Sequence, residues 1–169
     1  PLLSSRRGGP CARPVVRRRK PAPRLPTHDY TLPGPYFVTF CTAKRRPAFA
    51  VESVRDEVVN QIREMAKHSG VTLHEFVVAD DHIHILATLS GGRVGAGLAP
   101  APSLPSWIRQ LKSRLYRVCR ERFGWEARLW HRSYYDHVIR NDADFLEKAK
   151  YLENHPVKEP STSWAEWHV

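Results

Sequence analysis

Residues 71–89, VTLHEFVVADDHIHILATL, decide the fold. Val71–Ala79 and His82–Leu89 are apolar, β-branched runs, joined only by Asp80 and Asp81. A connection that short reads as a hairpin between two strands. In the second run His82 and His84 alternate with Ile83 and Ile85. Alternate residues of a strand share a face, ~7 Å apart, so the imidazoles project together while the isoleucines face a core. Such a pair is either two hydrogen-bonded side chains or two lone pairs offered to one divalent metal. Two ligands are too few for a protein metal site. A third must come from elsewhere in the chain, with substrate or water oxygens completing the shell.

Working outward, residues 36–42, YFVTFCT, predict a further strand. Residues 53–68 carry Val54, Val58, Ile62 and Met65 at helical spacing, and Gly70 punctuates their end. Residues 90–103, SGGRVGAGLAPAPS, read as a flexible linker. Residues 104–122 are the clearest helix, with Leu104, Ile108, Leu111, Leu115 and Val118 as its apolar stripe. Arg109, Lys112, Tyr116 and Arg120 share a different face. Residues 128–140, RLWHRSYYDHVIR, are aromatic and basic and end in a strand. Asn141 or Asp142 then caps a last helix, 143–154, which Pro156 stops. The order β, α, β, β, linker, α, β, α predicts an α+β sandwich, with helices packed on one face of an antiparallel sheet.

The 169 residues suit one domain plus a tail. The formal charge of +10 suggests a polyanion partner, but it is unevenly spread. Residues 1–26 hold Arg6, Arg7, Arg13, Arg17, Arg18, Arg19, Lys20 and Arg24, no acid, and six of the 14 prolines. Residues 1–27 are expected to form a disordered basic tail, and 28–169 the folded domain. Without residues 1–26 the balance is 19 basic against 17 acidic residues, so the total alone cannot argue for nucleic acid. The cysteines, Cys11, Cys41 and Cys119, form no CxxC pair, which points to a reducing interior. No run of about 18 apolar residues suggests a membrane span, and GGRVGAG lacks the GK[ST] ending of a nucleotide-binding loop.

The last helix, ADFLEKAKYLENHP, has Phe145, Ala149 and Leu152 as its stripe. Tyr151 lies about 100° away from Leu152, and His155 follows Tyr151 by four residues. The two could face the His82/His84 pair. By spacing alone, a packing tyrosine is the simpler explanation.

Taken jointly, these motifs resemble the single-strand DNA tyrosine transposases of the insertion-sequence 200-like family. Members associated with repetitive extragenic palindromes (REP) are the closest in feel. His82-Ile83-His84 after a strand and short turn resembles the family's His–hydrophobic–His motif. WHRSYYDHVIRNDADFLEKAKYLENHPVK resembles its second half, with Tyr151 five residues before Pro156-Val157. Residues 107–122 resemble the intervening helix and 36–42 the first strand. The likeness spans about 28–160.

The resemblance implies a ferredoxin-like α+β fold and a phosphoryl-transfer chemistry. Tyr151 would attack a phosphate of single-stranded DNA, leaving a 5′-phosphotyrosine link and a free 3′-OH. A second transesterification would pass the link to another strand without nucleotide triphosphate. A free phenol is a weak nucleophile at neutral pH, so a divalent metal, Mg²⁺ or Mn²⁺, on His82 and His84 would polarise the phosphate. The family's third ligand lies four residues after the tyrosine. That position is His155 here, where an amide is commoner, and three imidazoles suit Mn²⁺ or Zn²⁺ better than Mg²⁺. Asn154 is a fallback ligand, and Asp81 would sit near the metal as ligand or supporting carboxylate. Arg109, Lys112, Arg120 and Arg140 are candidate DNA-binding residues, with Trp130, Tyr134 and Tyr135 as candidates for base stacking, although Trp130 reads better as core. The implied partner is single-stranded DNA with hairpin ends, met in a bacterial cytoplasm at the nucleoid. Monomer and homodimer both remain open. The alternative is a non-catalytic, domesticated hairpin-binding module on the same fold.

Overall fold

The computed structural model describes residues 28–91, 93–94, 99–100 and 102–155. Its elements are β1 (Gly34–Cys41), α1 (Glu52–Ser69), β2 (Val71–Ala79), β3 (His82–Leu89), β4 (Arg93–Val94), β5 (Ala99–Pro100), α2 (Leu104–Phe123), β6 (Tyr135–Val138) and α3 (Asp142–Glu153). This is the order the sequence predicts, with one addition. Within the expected 90–103 linker, β4 and β5 pair as a small antiparallel ribbon. The basic tail 1–27, the rest of that linker (92, 95–98 and 101) and the helix stop at Pro156 lie outside the described residues.

Each helix ends where its local chemistry dictates. Gly70 and Gly124 close α1 and α2 in left-handed conformations (φ 66° and 65°), which cost a residue without a Cβ little. At the start of α2, Ser103 accepts a hydrogen bond from the Ser106 N–H, and at α3 Asn141 accepts from that of Asp144. Asp142 and Asp144 also place negative charge at the positive end of the α3 dipole.

The main sheet runs β2-β3-β1-β6 and is antiparallel throughout. β1 and β2, joined through α1, are separated by β3, the split arrangement of a ferredoxin-like sheet. A bulge between Leu73 and Glu75 offsets the register of β2 against β3.

Two apolar layers form on the two sides of this sheet. The larger takes Tyr36, Val38 and Phe40 from β1 and Ile83, Ile85, Ala87 and Leu89 from β3. Val58 and Ile62 of α1 and Trp107, Leu111 and Leu115 of α2 cover them. The smaller layer holds Phe37, Val77, Leu86 and Ile139 under Leu152 of α3, with Phe145 and Ala149 against it. The single-face packing expected of the helices is therefore amended: α1 and α2 share one face and α3 lies on the other. The apolar stripe of α3 is short, so period alone reveals its amphipathicity but not which side of the sheet it meets. Trp130 is core, packed edge-on to Phe40 at 5.1 Å between centroids. Among the described residues no helix is long and apolar enough to cross a membrane.

Removing buried volume from the larger layer should be costly. Ile85→Ala, at 0% exposure on a central strand, is expected to lower unfolding free energy by about 2–5 kcal/mol. Leu146→Ala, at 52% exposure, should change it by no more than about 0.5 kcal/mol. Urea unfolding of the two variants beside the wild type checks the contrast.

Candidate metal centre

Period two puts His82, His84 and Leu86 on the α3 side of β3, and Phe37, Thr39 and Cys41 on the same side of β1. The register pairs Thr39 with His84 and Cys41 with His82. α3 crosses above with Tyr151, and the chain just past its end delivers His155. The helix stops at Glu153, yet the His155 N–H still reaches the Leu152 carbonyl at 3.1 Å, and this turn keeps the imidazole over the sheet.

One nitrogen from each of His82, His84 and His155 lies within 4.8 Å of the others. Across a metal with bonds of ~2.1 Å, neighbouring donors stand roughly 3–3.5 Å apart. The trio therefore fits a divalent ion after contracting by about an ångström. His155 is the one of the three carried by chain outside regular structure.

The hydrogen bonds around the imidazoles fix which nitrogen faces the centre. Asp81 Oδ1 lies 2.6 Å from His82 Nδ1, leaving Nε2 available. This carboxylate–histidine pair is the usual way a ligating imidazole is oriented. The other oxygen of Asp81 meets Arg45 Nη1 at 3.2 Å. On His84, Nδ1 sits 2.7 Å from Thr39 Oγ1, so with the proton on Nδ1 it is Nε2 that carries the lone pair. Burial, followed by the neighbouring His82 and His155, pushes the pKa of His84 down to about 3. His155 is shifted the same way, by burial and then His82. Both are thus neutral at pH 7, the form a metal requires.

Tyr151 joins the cluster through its hydroxyl, 3.4 Å from His84 Nε2. Phe37 stacks on the His84 ring at 5.5 Å and meets the Tyr151 ring edge-on at 5.9 Å. Tyr151 remains half exposed.

Other candidates fall elsewhere. Asn154 donates its side-chain amide N–H to the Lys150 carbonyl at 2.8 Å, a bond within its own helix end. Asp81 supports His82 and stands behind it. Arg109 and Arg120 are exposed on α2, the helix on the opposite face of the sheet. Lys112 is half-buried. It donates to the His131 carbonyl at 2.8 Å and lies about 6 Å from the Phe40 and Trp130 rings, which makes it a brace between α2 and the segment before β6. Burial, more than nearby Arg128, lowers its pKa to about 8. Arg140 precedes α3, at the opposite end of the helix from Tyr151, and Tyr135 is exposed on β6.

Sequence reasoning misses Thr39, Phe37 and Arg45. The first two share a face by period two, but only the β1–β3 register reveals that this face carries the histidines. Arg45 reaches Asp81 through a turn in which Lys44 (φ 59°) and Arg45 (φ 56°) are both left-handed. For residues with a Cβ this costs roughly 1–2 kcal/mol each, and no sequence signal announces it.

Comparisons with known proteins bear on this geometry. Residues 34–155 match the family described as "Transposase IS200 like". Over 132 residues the chain is 25% identical to a Haemophilus influenzae protein described as a REP-associated tyrosine transposase, covering 77% of this chain and 74% of that one. A solved REP-associated tyrosine transposase bound to a REP hairpin superposes with a TM-score of 0.56 at 20% identity, over 80% of this chain and 74% of that one. A transposase structure from Deinococcus radiodurans gives 0.51 at 21% identity, over 73% and 91%. At such identities these two likenesses speak for the fold.

The supporting carboxylate gives a direct test. In calorimetric titration with Mn²⁺, Asp81→Asn is expected to bind about 10- to 100-fold more weakly than wild type, whereas Asn154→Ala should bind as wild type does. Equal affinity for Asp81→Asn would remove that residue from the centre.

Proposed function

The chain belongs to the IS200-like transposase family, and on that premise we propose that it cleaves and rejoins single-stranded DNA beside hairpins, with Tyr151 as nucleophile and His82, His84 and His155 as ligands of a divalent ion. One observation carries the assignment of roles. The Tyr151 hydroxyl lies 3.4 Å from Nε2 of His84, the ring nitrogen that the Thr39 bond leaves free, and His84 is one of the three clustered imidazoles. A nucleophile and a metal-binding triad so close together suit one scissile phosphate bound between them.

In this reading the phenolic oxygen of Tyr151 attacks phosphorus in line with the bond to the 3′ oxygen. The phosphorus–O3′ bond breaks, its electron pair stays on the 3′ oxygen, and a proton from solvent completes the 3′-OH. The phenolic proton leaves through the half-exposed face of the side chain. Phe37 holds the tyrosine ring in place, and Thr39 and Asp81 hold two imidazoles, so little reorganisation accompanies the step. When bound, a divalent ion supplies Lewis-acid polarisation of the phosphate and offsets charge in the transition state. The phosphodiester is exchanged for another phosphodiester, so the reverse transfer onto a new 3′-OH needs no nucleotide triphosphate. Three imidazole donors favour Mn²⁺ over Mg²⁺. The likeness to a relative bound to a REP hairpin supports hairpin-bearing single strands as the partner.

The test is a covalent adduct. Labelled single strands carrying the hairpins that flank the gene would be incubated with protein and Mn²⁺, then run on a denaturing gel. The expected result is an SDS-resistant adduct that is absent with EDTA and reduced at least about 10³-fold in Tyr151→Phe. Tight hairpin binding with no adduct under any metal would favour the non-catalytic module.

A further inference from the structure

Beyond the histidine cluster the molecule carries an open cleft of about 330 Å³ between the turn after β1 and the segment before β6. Lys44 and Arg46 line one wall; Arg128, Trp130, His131 and Arg132 line the other. No acidic residue contributes to the lining. Lys44, Arg46, Arg128 and Arg132 are exposed, and none of them joins an ion pair among the described residues. Cations gathered around one cavity repel one another unless an anion sits between them.

The walls are fastened together, so the charges are held in place. Ala43 N–H donates to the Leu129 carbonyl at 2.7 Å, and His131 N–H to that of Cys41 at 2.9 Å. Trp130 Nε1 donates to the Lys112 carbonyl at 2.7 Å, while Lys112 Nζ returns a bond to the His131 carbonyl. Arg128 Nε is anchored on the Trp130 carbonyl at 2.9 Å. The cleft is tied to the metal centre through the turn after β1. In the left-handed turn, Lys44 and Arg46 face the cleft, whereas Arg45 between them binds Asp81, which holds His82. Thr42, just before the turn, donates its N–H to the Asp81 carbonyl at 2.9 Å.

We propose that this cleft binds the sugar–phosphate backbone of the unpaired DNA strand that runs into the histidine cluster. Four cations with no acidic neighbour in the lining match successive phosphates. Guanidinium groups predominate, which suits phosphate oxygens. The direction of the strand rests on the function proposed above; the binding itself needs neither Tyr151 nor a metal.

The experiment therefore measures binding alone. A fluorescein-labelled 20-nucleotide oligo-dT would be titrated with full-length protein in EDTA at several salt concentrations, with anisotropy as readout. Arg46→Ala/Arg132→Ala removes two exposed cations that donate no side-chain hydrogen bond within the described residues. Binding is expected to fall roughly tenfold near 0.1 M salt, and the salt slope to become shallower by about 1.4, or ~0.7 per phosphate contact. Arg46→Lys/Arg132→Lys should recover most of both. Lys67→Ala/Arg122→Ala, with equal charge removed from α1 and α2 at residues that do not line the cleft, should keep the wild-type slope. An unchanged slope in the first variant would overturn the assignment, as would an equal loss in the control pair. A lost slope alongside a failed adduct assay would leave the cleft standing and remove the strand-transfer reading.

Discussion

The antiparallel pairing of β1 with β3 is the constraint from which the rest follows. It sets Thr39 opposite His84 and Cys41 opposite His82. It also sends Phe40, Ile83 and Ile85 into the larger apolar layer. A slip of one residue would turn every side chain of a strand to the wrong face, burying imidazoles among the helices and exposing isoleucines. Because the larger layer supplies most of the apolar burial, the energetics of that side enforce the chemistry of the other. The face that carries the histidines is chosen by side chains that never touch them.

The two sides of the sheet divide the work. One carries α1 and α2 and most of the buried apolar surface; the other carries a thin apolar patch and the cluster of His82, His84, His155 and Tyr151. A neutral, buried His84 is tolerable there because its ring is stacked on Phe37 and hydrogen-bonded to Thr39. A polar group without such partners would be costly at that depth. Arg45, Asp81 and His82 form a chain from the surface inward, and the exposed Arg45–Asp81 link adds little stability by itself. What it contributes is orientation.

Much of this is legible in the sequence because it depends on local periodicity. His82-Ile83-His84 displays its shared face in any strand, and the stripe of α2 and the Asn141 cap can be read one residue at a time. The likeness of the tyrosine segment to a known family adds the link between Tyr151 and the histidines, which spacing alone leaves undecided. What escapes is set by tertiary register or by competition for hydrogen bonds. Thr39 is an unremarked strand threonine until β1 is paired. Lys112 has the charge and the helix position of a phosphate contact, and only the fold shows that its ammonium also lies about 6 Å from two aromatic rings and donates to a carbonyl. The left-handed turn at Lys44 and Arg45 is held by the surrounding fold against local preference, so no propensity rule can find it.

The thinness of the α3 layer bears on how the centre responds to metal. Phe37, Val77, Leu86, Ile139 and Leu152 are the buried residues that fasten this helix. Lifting it away exposes far less apolar surface than global unfolding does, so this is a low-lying opening of the fold. Two of the three imidazoles stay on the sheet in such an opening and the third departs with the helix. An ion shared by all three would act as a clasp across this thin seam. Its affinity for the closed form would add directly to the free energy of keeping the seam shut. Occupancy of the centre and ordering of Tyr151 would then be one equilibrium.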